Sequence, residues 1–260
     1  MNHVFSEEPE RNIQPSMDVQ AACAVLLVGG MGTRLRSVLP FTPKPLAPLG
    51  SKSFLHLLIR QLRSQRICRL VMCTGYLSNR IEDEFGDGHK WGVRVDYSKE
   101  LRPLGTAGAV KFAERCLPPV SDFLVMNGDS FLETNFHELI RFHREHGGIV
   151  TIAVCKVENA NRYGTVRVDT DNRIIGFTEK NGKQAPGLVN GGVYVFNRVV
   201  LQHIPDGPAS LERDLFPRLL KYGVYAREQE GIFIDIGTPE DYARAQELCN
   251  RLYQAALLKR

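Results

Sequence analysis

Apolar positions along this 260-residue chain fall into two rhythms. Over residues 23–146, short Val/Leu-rich runs alternate with stretches whose apolar residues recur every three or four positions. The runs predict strands at 23–28, 69–74, 93–97 and 122–126, and the stretches between and after them predict helices at 53–65, 79–85, 107–115 and 135–146. Buried strands alternating with helices imply a largely parallel sheet covered on both faces. From about residue 148 consecutive strands take over, at 149–155, 165–169, 173–178 and 188–196, with Asp171-Asn172 as a hairpin turn. A short helix is expected after Ser210, then strands near 224–227 and 232–235. The last helix has a sharp start in Thr238-Pro239-Glu240-Asp241: Thr caps, Pro suits the first turn, and the acids complement the helix dipole. Tyr242, Ala245, Leu248, Leu252 and Ala256 then line one helical face. The expected fold class is α/β, Rossmann-like, with a mixed, mostly parallel sheet flanked by helices.

Residues 1–20 are polar, aperiodic and contain Pro9 and Pro15, and read as a disordered leader. Residues 21–260 are expected to form one domain, with halves at 21–148 and 149–260. At 43% hydrophobic and 24% charged residues, the composition excludes collagenous, low-complexity and mostly disordered classes. The longest apolar run, Ala21 to Val28, is eight residues, where a membrane helix needs roughly 20. Without a basic, then apolar, N-terminal signal, the expected compartment is the cytoplasm. The formal charge of +4 hides a contrast, because residues 1–20 carry −3 and the remainder +7. That excess, without a Lys/Arg run or an aromatic-interleaved stripe, suits an anionic small ligand better than nucleic acid. Six cysteines (23, 68, 73, 116, 155, 249) show neither a CxxC pair nor zinc-site spacing and read as reduced thiols.

Chemistry concentrates where the first strand ends, in Val28-Gly29-Gly30-Met31-Gly32-Thr33-Arg34-Leu35. A Walker A loop fails because no Lys-Ser/Thr follows, and a dinucleotide fingerprint fails on Leu35, where Gly or Ala is needed. What remains is a glycine-rich turn whose backbone N–H groups approach a polyphosphate, with Arg34 as a charge-assisted donor fork; the bland alternative is a tight turn with an exposed Arg. Ten residues on, Pro43-Lys44-Pro45-Leu46 brackets one lysine with prolines that restrict φ, either to hold an ammonium for a phosphate or as a rigid surface loop. His137, His143 and His146 lie on one expected helix without a matching carboxylate or cysteine pattern, and are assigned to its exposed face.

With GGxGTRL followed shortly by PKPL, the chain resembles the sugar-nucleotidyltransferase (nucleoside-diphospho-sugar pyrophosphorylase) superfamily, which implies the nucleotide-diphospho-sugar transferase fold. The likeness continues through Gly105-Thr106-Ala107-Gly108, Asn127-Gly128-Asp129, Arg162-Tyr163-Gly164-Thr165-Val166, Phe177-Thr178-Glu179-Lys180, Asn190-Gly191-Gly192-Val193-Tyr194 and Phe233-Ile234-Asp235-Ile236-Gly237-Thr238. It implies transfer of a nucleotidyl group from an NTP to a sugar 1-phosphate, releasing pyrophosphate. Leu27, Gly29, Gly30, Gly32, Thr33, Arg34, Gly105, Thr106 and Asp129 would then bind nucleotide. Tyr163, Gly164, Glu179, Lys180 and Asn190 would bind the sugar phosphate, and Arg34, Lys44, Asp129 and Asp235 would be catalytic. Asp129 and Asp235 each end an apolar strand, where open α/β folds place ligands, and as hard oxygen donors they suit Mg²⁺. Within the superfamily the chain is most similar to D-glycero-D-manno-heptose 1-phosphate guanylyltransferases, with Ser37 where many hexose-specific members carry proline. GTP is therefore the expected nucleotide. The alternatives are mannose-1-phosphate guanylyltransferase, glucose-1-phosphate thymidylyl- or uridylyltransferase, and a non-catalytic sugar-nucleotide sensor. Homo-oligomerisation is left open.

Overall fold

The computed structural model describes residues 22–30, 32–178 and 185–257. Its strands are β1 (Cys23–Leu27), β2 (Pro48–Leu49), β3 (Lys52–Ser53), β4 (Arg69–Thr74), β5 (Arg94–Lys99), β6 (Asp122–Asn127), β7 (Ser130–Leu132), β8 (Val150–Val157), β9 (Thr165–Val168), β10 (Ile174–Thr178), β11 (Gly187–Asn197), β12 (Val224–Glu228) and β13 (Phe233–Asp235). The helices are α1 (Phe54–Ser64), α2 (Ser78–Phe85), α3 (Gly105–Phe112), α4 (Phe136–His146), α5 (Phe216–Leu219), α6 (Pro239–Glu247) and α7 (Cys249–Ala255). The expected strands and helices are present with ends moved by a few residues; β2, β3 and β7 are additions, too short to show a period. Residues 1–20, Glu179 and Lys180 lie outside the described residues. None of the described helices is long and apolar enough to cross a membrane.

Nine of the described strands form the main sheet, in the order β10-β9-β11-β6-β1-β4-β5, with β8 paired to β11 and β12 to β8. The pairs β1-β4, β1-β6 and β4-β5 are parallel, whereas β11 runs antiparallel to β6 with Val193 opposite Met126. Strand β11 therefore joins the mixed second half, in which β12 runs parallel to β8, directly to the parallel first half. Side chains alternate across the sheet with the two-residue period of a strand. Leu26, Met72, Leu124 and Met126 face a core shared with α1 and α4, and Val25, Val71, Val125 and Tyr194 face one shared with α3 and residues 200–219. Both faces are thus buried, as the continuous apolar strands require.

Two expectations need correction. The last helix is α6 followed by α7, meeting at Leu248, although Leu252 N–H still bonds the Leu248 carbonyl at 2.9 Å. Its start is as expected, since the Thr238 side chain accepts the Asp241 N–H. The histidines of α4 are not an exposed row. His143 is 2% exposed and its Nδ1 lies 2.9 Å from Thr151 Oγ1 on β8, while His137 Nε2 lies 2.8 Å from the Gln65 carbonyl oxygen. His146 is half-buried with its ring stacked on Phe142 at 3.8 Å. The reason is helical phase: Phe136, Leu139, Ile140 and His143 occupy positions i, i+3, i+4 and i+7 of the inward stripe.

Candidate active site

The glycine-rich turn leaves the C-terminal end of β1 and closes as a single 3₁₀ turn, Thr33–Leu35, capped by Gly32 in the left-handed region at φ +55°. A Cβ at Gly32 would stand 3.0 Å from Lys44 Cβ, so glycine serves both the conformation and the approach of the lysine segment. Leu35 is buried and anchors the turn, leaving Thr33 and Arg34 exposed. The second motif is no surface loop. Pro43 caps a 3₁₀ turn over Lys44–Leu46, and Lys44, only 8% exposed, reaches inward to place Nζ 2.6 Å from Asp129 Oδ2. A buried ammonium needs such a partner, because burial without one is strongly unfavourable.

Asp129 follows β6 at the C-terminal edge of the parallel strands, and Asp235 is brought to it by a pairing remote in sequence. Strands β7 and β13 form a two-stranded antiparallel sheet that sets Asp235 opposite Ser130, and Ile236 N–H donates to the Asp129 carbonyl at 2.9 Å. Asp235 Oδ1 accepts the Gly237 N–H at 2.6 Å. Burial, and then the negative charge of Asp129, push the Asp235 carboxyl up to about 6, against the pull of Lys44 and the Gly237 N–H. Asp129 thus pairs directly with the ammonium, and Asp235 feels both charges through space. Among the described residues, no group of three or more His, Cys, Asp or Glu side chains forms a self-sufficient metal cage.

Two cavities meet at this centre. One, of about 180 Å³, is lined by Gly30, Gly32, Thr33, Arg34, Lys44 and Asp129. The other, of about 510 Å³, shares Leu27, Gly30 and Asp129 with the first and extends to Gly29, Gly105 and Thr106. All nine residues expected to bind nucleotide therefore line one cavity or both. Gly105, at φ +69°, opens α3, and a Cβ there would come 2.5 Å from the Ala209 carbonyl oxygen. That carbonyl accepts the N–H groups of Ala107 and Gly108, tying this loop to residues 207–212.

Of the residues expected at the sugar phosphate, Tyr163 packs edge-on against Phe233 at 5.7 Å, two positions before Asp235. Burial, followed by the charges of Asp241 and Asp235, raises its phenol pKa. The preceding Arg162 donates to both carboxylate oxygens of Asp241 and to Thr238, holding this segment to the start of α6. Gly164 is exposed at the entry to β9, and Asn190 on β11 is half-buried. Neither these two nor Tyr163 line the two cavities.

Sequence reasoning missed Glu100 and the individual role of Asn127, both of which line the larger cavity. Glu100 follows the last residue of β5 at the sheet edge that carries Asp129, so the strand-end rule applied to every parallel strand finds it. Its Oε2 accepts the Leu104 N–H at 3.1 Å, and burial pushes its carboxyl up against that hydrogen bond.

Comparison with known proteins agrees with this geometry. The family described as nucleotidyl transferase matches residues 23–251. D-glycero-alpha-D-manno-heptose 1-phosphate guanylyltransferase of Aneurinibacillus thermoaerophilus is 37% identical over 226 residues, which cover 86% of this chain and 96% of that protein. Mannose-1-phosphate guanyltransferase beta-A of Xenopus laevis is 36% identical over 223 residues, covering 84% of this chain and 62% of that protein. The chain thus spans less than two thirds of that relative's length. The crystal structure of HddC from Yersinia pseudotuberculosis complexed with GMP-PN is 33% identical, with a TM-score of 0.79, over 87% of this chain and 98% of that one. The matching profile spans both halves of the sheet and every motif around the two cavities, and the chain belongs to the nucleotidyl transferase family.

Proposed function

We propose that the chain transfers a guanylyl group from GTP to D-glycero-D-manno-heptose 1-phosphate in the cytoplasm, giving the GDP-sugar and pyrophosphate. The observation that carries this reading is the Lys44–Asp129 pair, 2.6 Å apart, at the junction of the polyphosphate turn and the larger cavity. An oxygen of the sugar phosphate attacks the α-phosphorus, a new P–O bond forms, and the α–β anhydride bond breaks with pyrophosphate leaving. The attacking oxygen is already anionic, so the protein's work is alignment and charge neutralisation.

Arg34 and the Gly29–Thr33 turn hold the β- and γ-phosphates, and Lys44 neutralises charge developing on the α-phosphoryl group. Tyr163, Gly164, Glu179, Lys180 and Asn190 hold the sugar phosphate, so both halves of the chain serve one reaction. Asp129 and Asp235 are the residues to hold Mg²⁺. Their chemistry fits, since Asp235 is raised by the neighbouring Asp129 charge even with Lys44 nearby, and Mg²⁺ takes one or two protein carboxylates and completes its shell with phosphate oxygens and water. When bound, the ion would lower the cost of bringing the anionic substrates together. In the larger cavity, the Glu100 carboxylate offers acceptors for the N1–H and exocyclic amine of guanine, which favours GTP.

The similarity to mannose-1-phosphate guanyltransferase beta-A makes mannose 1-phosphate the second reading. A sensor without turnover is disfavoured because Lys44, Asp129 and Asp235 are all present and gathered together. Pyrophosphate release from four NTPs, each paired with heptose, mannose or glucose 1-phosphate, tests the assignment. The expected maximum is GTP with heptose 1-phosphate; release with a hexose phosphate alone would refute the heptose reading, and nucleotide binding without release in any pairing would establish the sensor.

A further inference from the structure

Between the nucleotide cavity and β11 runs a chain of side-chain hydrogen bonds that the mechanism above does not use. Thr106, on the cavity wall, accepts the Leu211 N–H at 2.8 Å and donates to Glu212 Oε2 at 3.4 Å. The other carboxylate oxygen of Glu212 accepts from the Tyr194 hydroxyl at 3.4 Å, and that hydroxyl accepts the Asn190 side-chain N–H at 2.9 Å. Asn190 Oδ1 takes the Gly192 N–H at 2.9 Å, which leaves its amide with one settled orientation.

Two features set this chain apart from incidental polar contacts. Tyr194 is fully buried among Phe196 and Phe216, so its hydroxyl has no water to exchange with and depends on Asn190 and Glu212. Glu212 sits in a π-helical turn, Leu211–Leu215, in which Leu215 N–H reaches back to the Ser210 carbonyl at 3.1 Å. Such turns are rare and concentrate at functional sites. The same segment is bonded to the nucleotide loop through Ala209 N–H to the Leu104 carbonyl and Ala107 N–H to the Ala209 carbonyl, both at 2.9 Å. Thr106 and Glu212 are thus held in one hydrogen-bonded unit at the cavity wall.

We propose that Tyr194 and Glu212 are positioning residues that couple the two substrate sites, so that nucleotide held at Thr106 orients Asn190 and tightens binding of the sugar phosphate. The inference rests on the guanylyl-transfer reading, in which Asn190 contacts the sugar phosphate. Coupling of this kind is reciprocal, and sugar phosphate must tighten nucleotide binding by the same factor.

The test is calorimetric titration of the full chain with heptose 1-phosphate and with mannose 1-phosphate, each with and without α,β-methylene-GTP, which cannot transfer its nucleotidyl group. In the wild type the analogue is expected to raise sugar-phosphate affinity by about 10-fold, within the usual range for coupled sites. Tyr194→Phe keeps the ring and removes only the hydroxyl; the gain should fall to about 2-fold or less while affinity for the analogue alone stays within about 2-fold. Glu212→Ala, at an exposed position, should do the same, and it carries the test if the Tyr194 variant fails a thermal-melt check of folding. An undiminished gain in a folded variant, or no gain in the wild type, overturns the coupling. Wild-type protein that binds both ligands and releases pyrophosphate from GTP but shows no gain sinks this inference alone. Failure to bind the analogue at all refutes the guanylyl-transfer reading, and the coupling with it.

Discussion

Strand β6 has a carboxylate site at each end, a single aspartate at its start and a pair just past its other end, and the two have opposite electrostatics. At its start, Asp122 Oδ2 accepts from Arg144 Nε at 3.1 Å and Ser121 Oγ at 3.2 Å, and Oδ1 accepts from Asn197 Nδ2 at 3.3 Å. His143 Nε2 lies 3.7 Å from Oδ1, and His143, ahead of Arg144, holds the Asp122 carboxyl down to about 2 despite partial burial. Just past the other end, Asp129 pairs with Lys44, and Asp235 is pushed up to about 6 by burial and then by Asp129. The first site is supplied with donors from the protein's own chain and holds α4 to the sheet. The second has a single ammonium at the edge where α/β sheets bind ligands, and under the proposed reaction a substrate-bound cation would supply the remaining positive charge.

The contrast predicts a division between turnover and stability. Lys44→Ala and Asp129→Ala should each lower kcat by about 10²–10³-fold, the usual cost of one preorganised charge-stabilising group; Asp129→Ala should also lower the melting temperature, because it leaves the buried Lys44 ammonium without its partner. Near wild-type turnover in either variant would break the comparison at its functional end. Asp235→Asn should raise the Mg²⁺ concentration needed for half-maximal rate by at least about 10-fold, since even indirect metal partners are worth about 10–100-fold. An unchanged Mg²⁺ requirement would remove Asp235 from the metal site.

Glu100→Gln should cut the preference for GTP over UTP by about 10-fold or more, in line with roughly 1.5–3 kcal/mol for a hydrogen bond to a charged group. A preference that survives intact would move guanine recognition elsewhere. The smallest effect on turnover belongs to Asp122→Asn, which should leave kcat within about 2-fold while lowering unfolding free energy in urea by about 1–3 kcal/mol. Because the folded-state pKa of Asp122 is depressed to about 2 from an ordinary 3.8, its contribution is present above that ordinary value and lost as pH falls through about 2. The urea difference between wild type and Asp122→Asn should therefore shrink across that window; a difference that persists at its acid end would mean that the ion pairing is not its source.

Much of the molecule could be read from local pattern. Period-two and period-three-or-four apolar spacing identifies strands and helices because one face of each must be buried, and the Thr238 cap, the Gly32 turn and the Pro43-Lys44-Pro45 bracket act over a few residues through backbone dihedrals. Even buried His143 was legible in the stripe begun by Phe136, had that stripe been preferred to the polarity of histidine. Long-range strand pairing was not legible. β7 is three residues, too short for a pattern, and only its pairing with the expected strand β13 sets Asp235 opposite Ser130 and so close to Asp129. Likewise nothing local relates Thr106 or Tyr194 to Glu212, which becomes their neighbour only because residues 207–212 dock on the nucleotide loop. Local spacing determines which residues are polar, capped or buried, because those choices act over one or two turns of chain. Which charges meet is decided by the packing of a sheet whose adjoining strands lie up to a hundred residues apart.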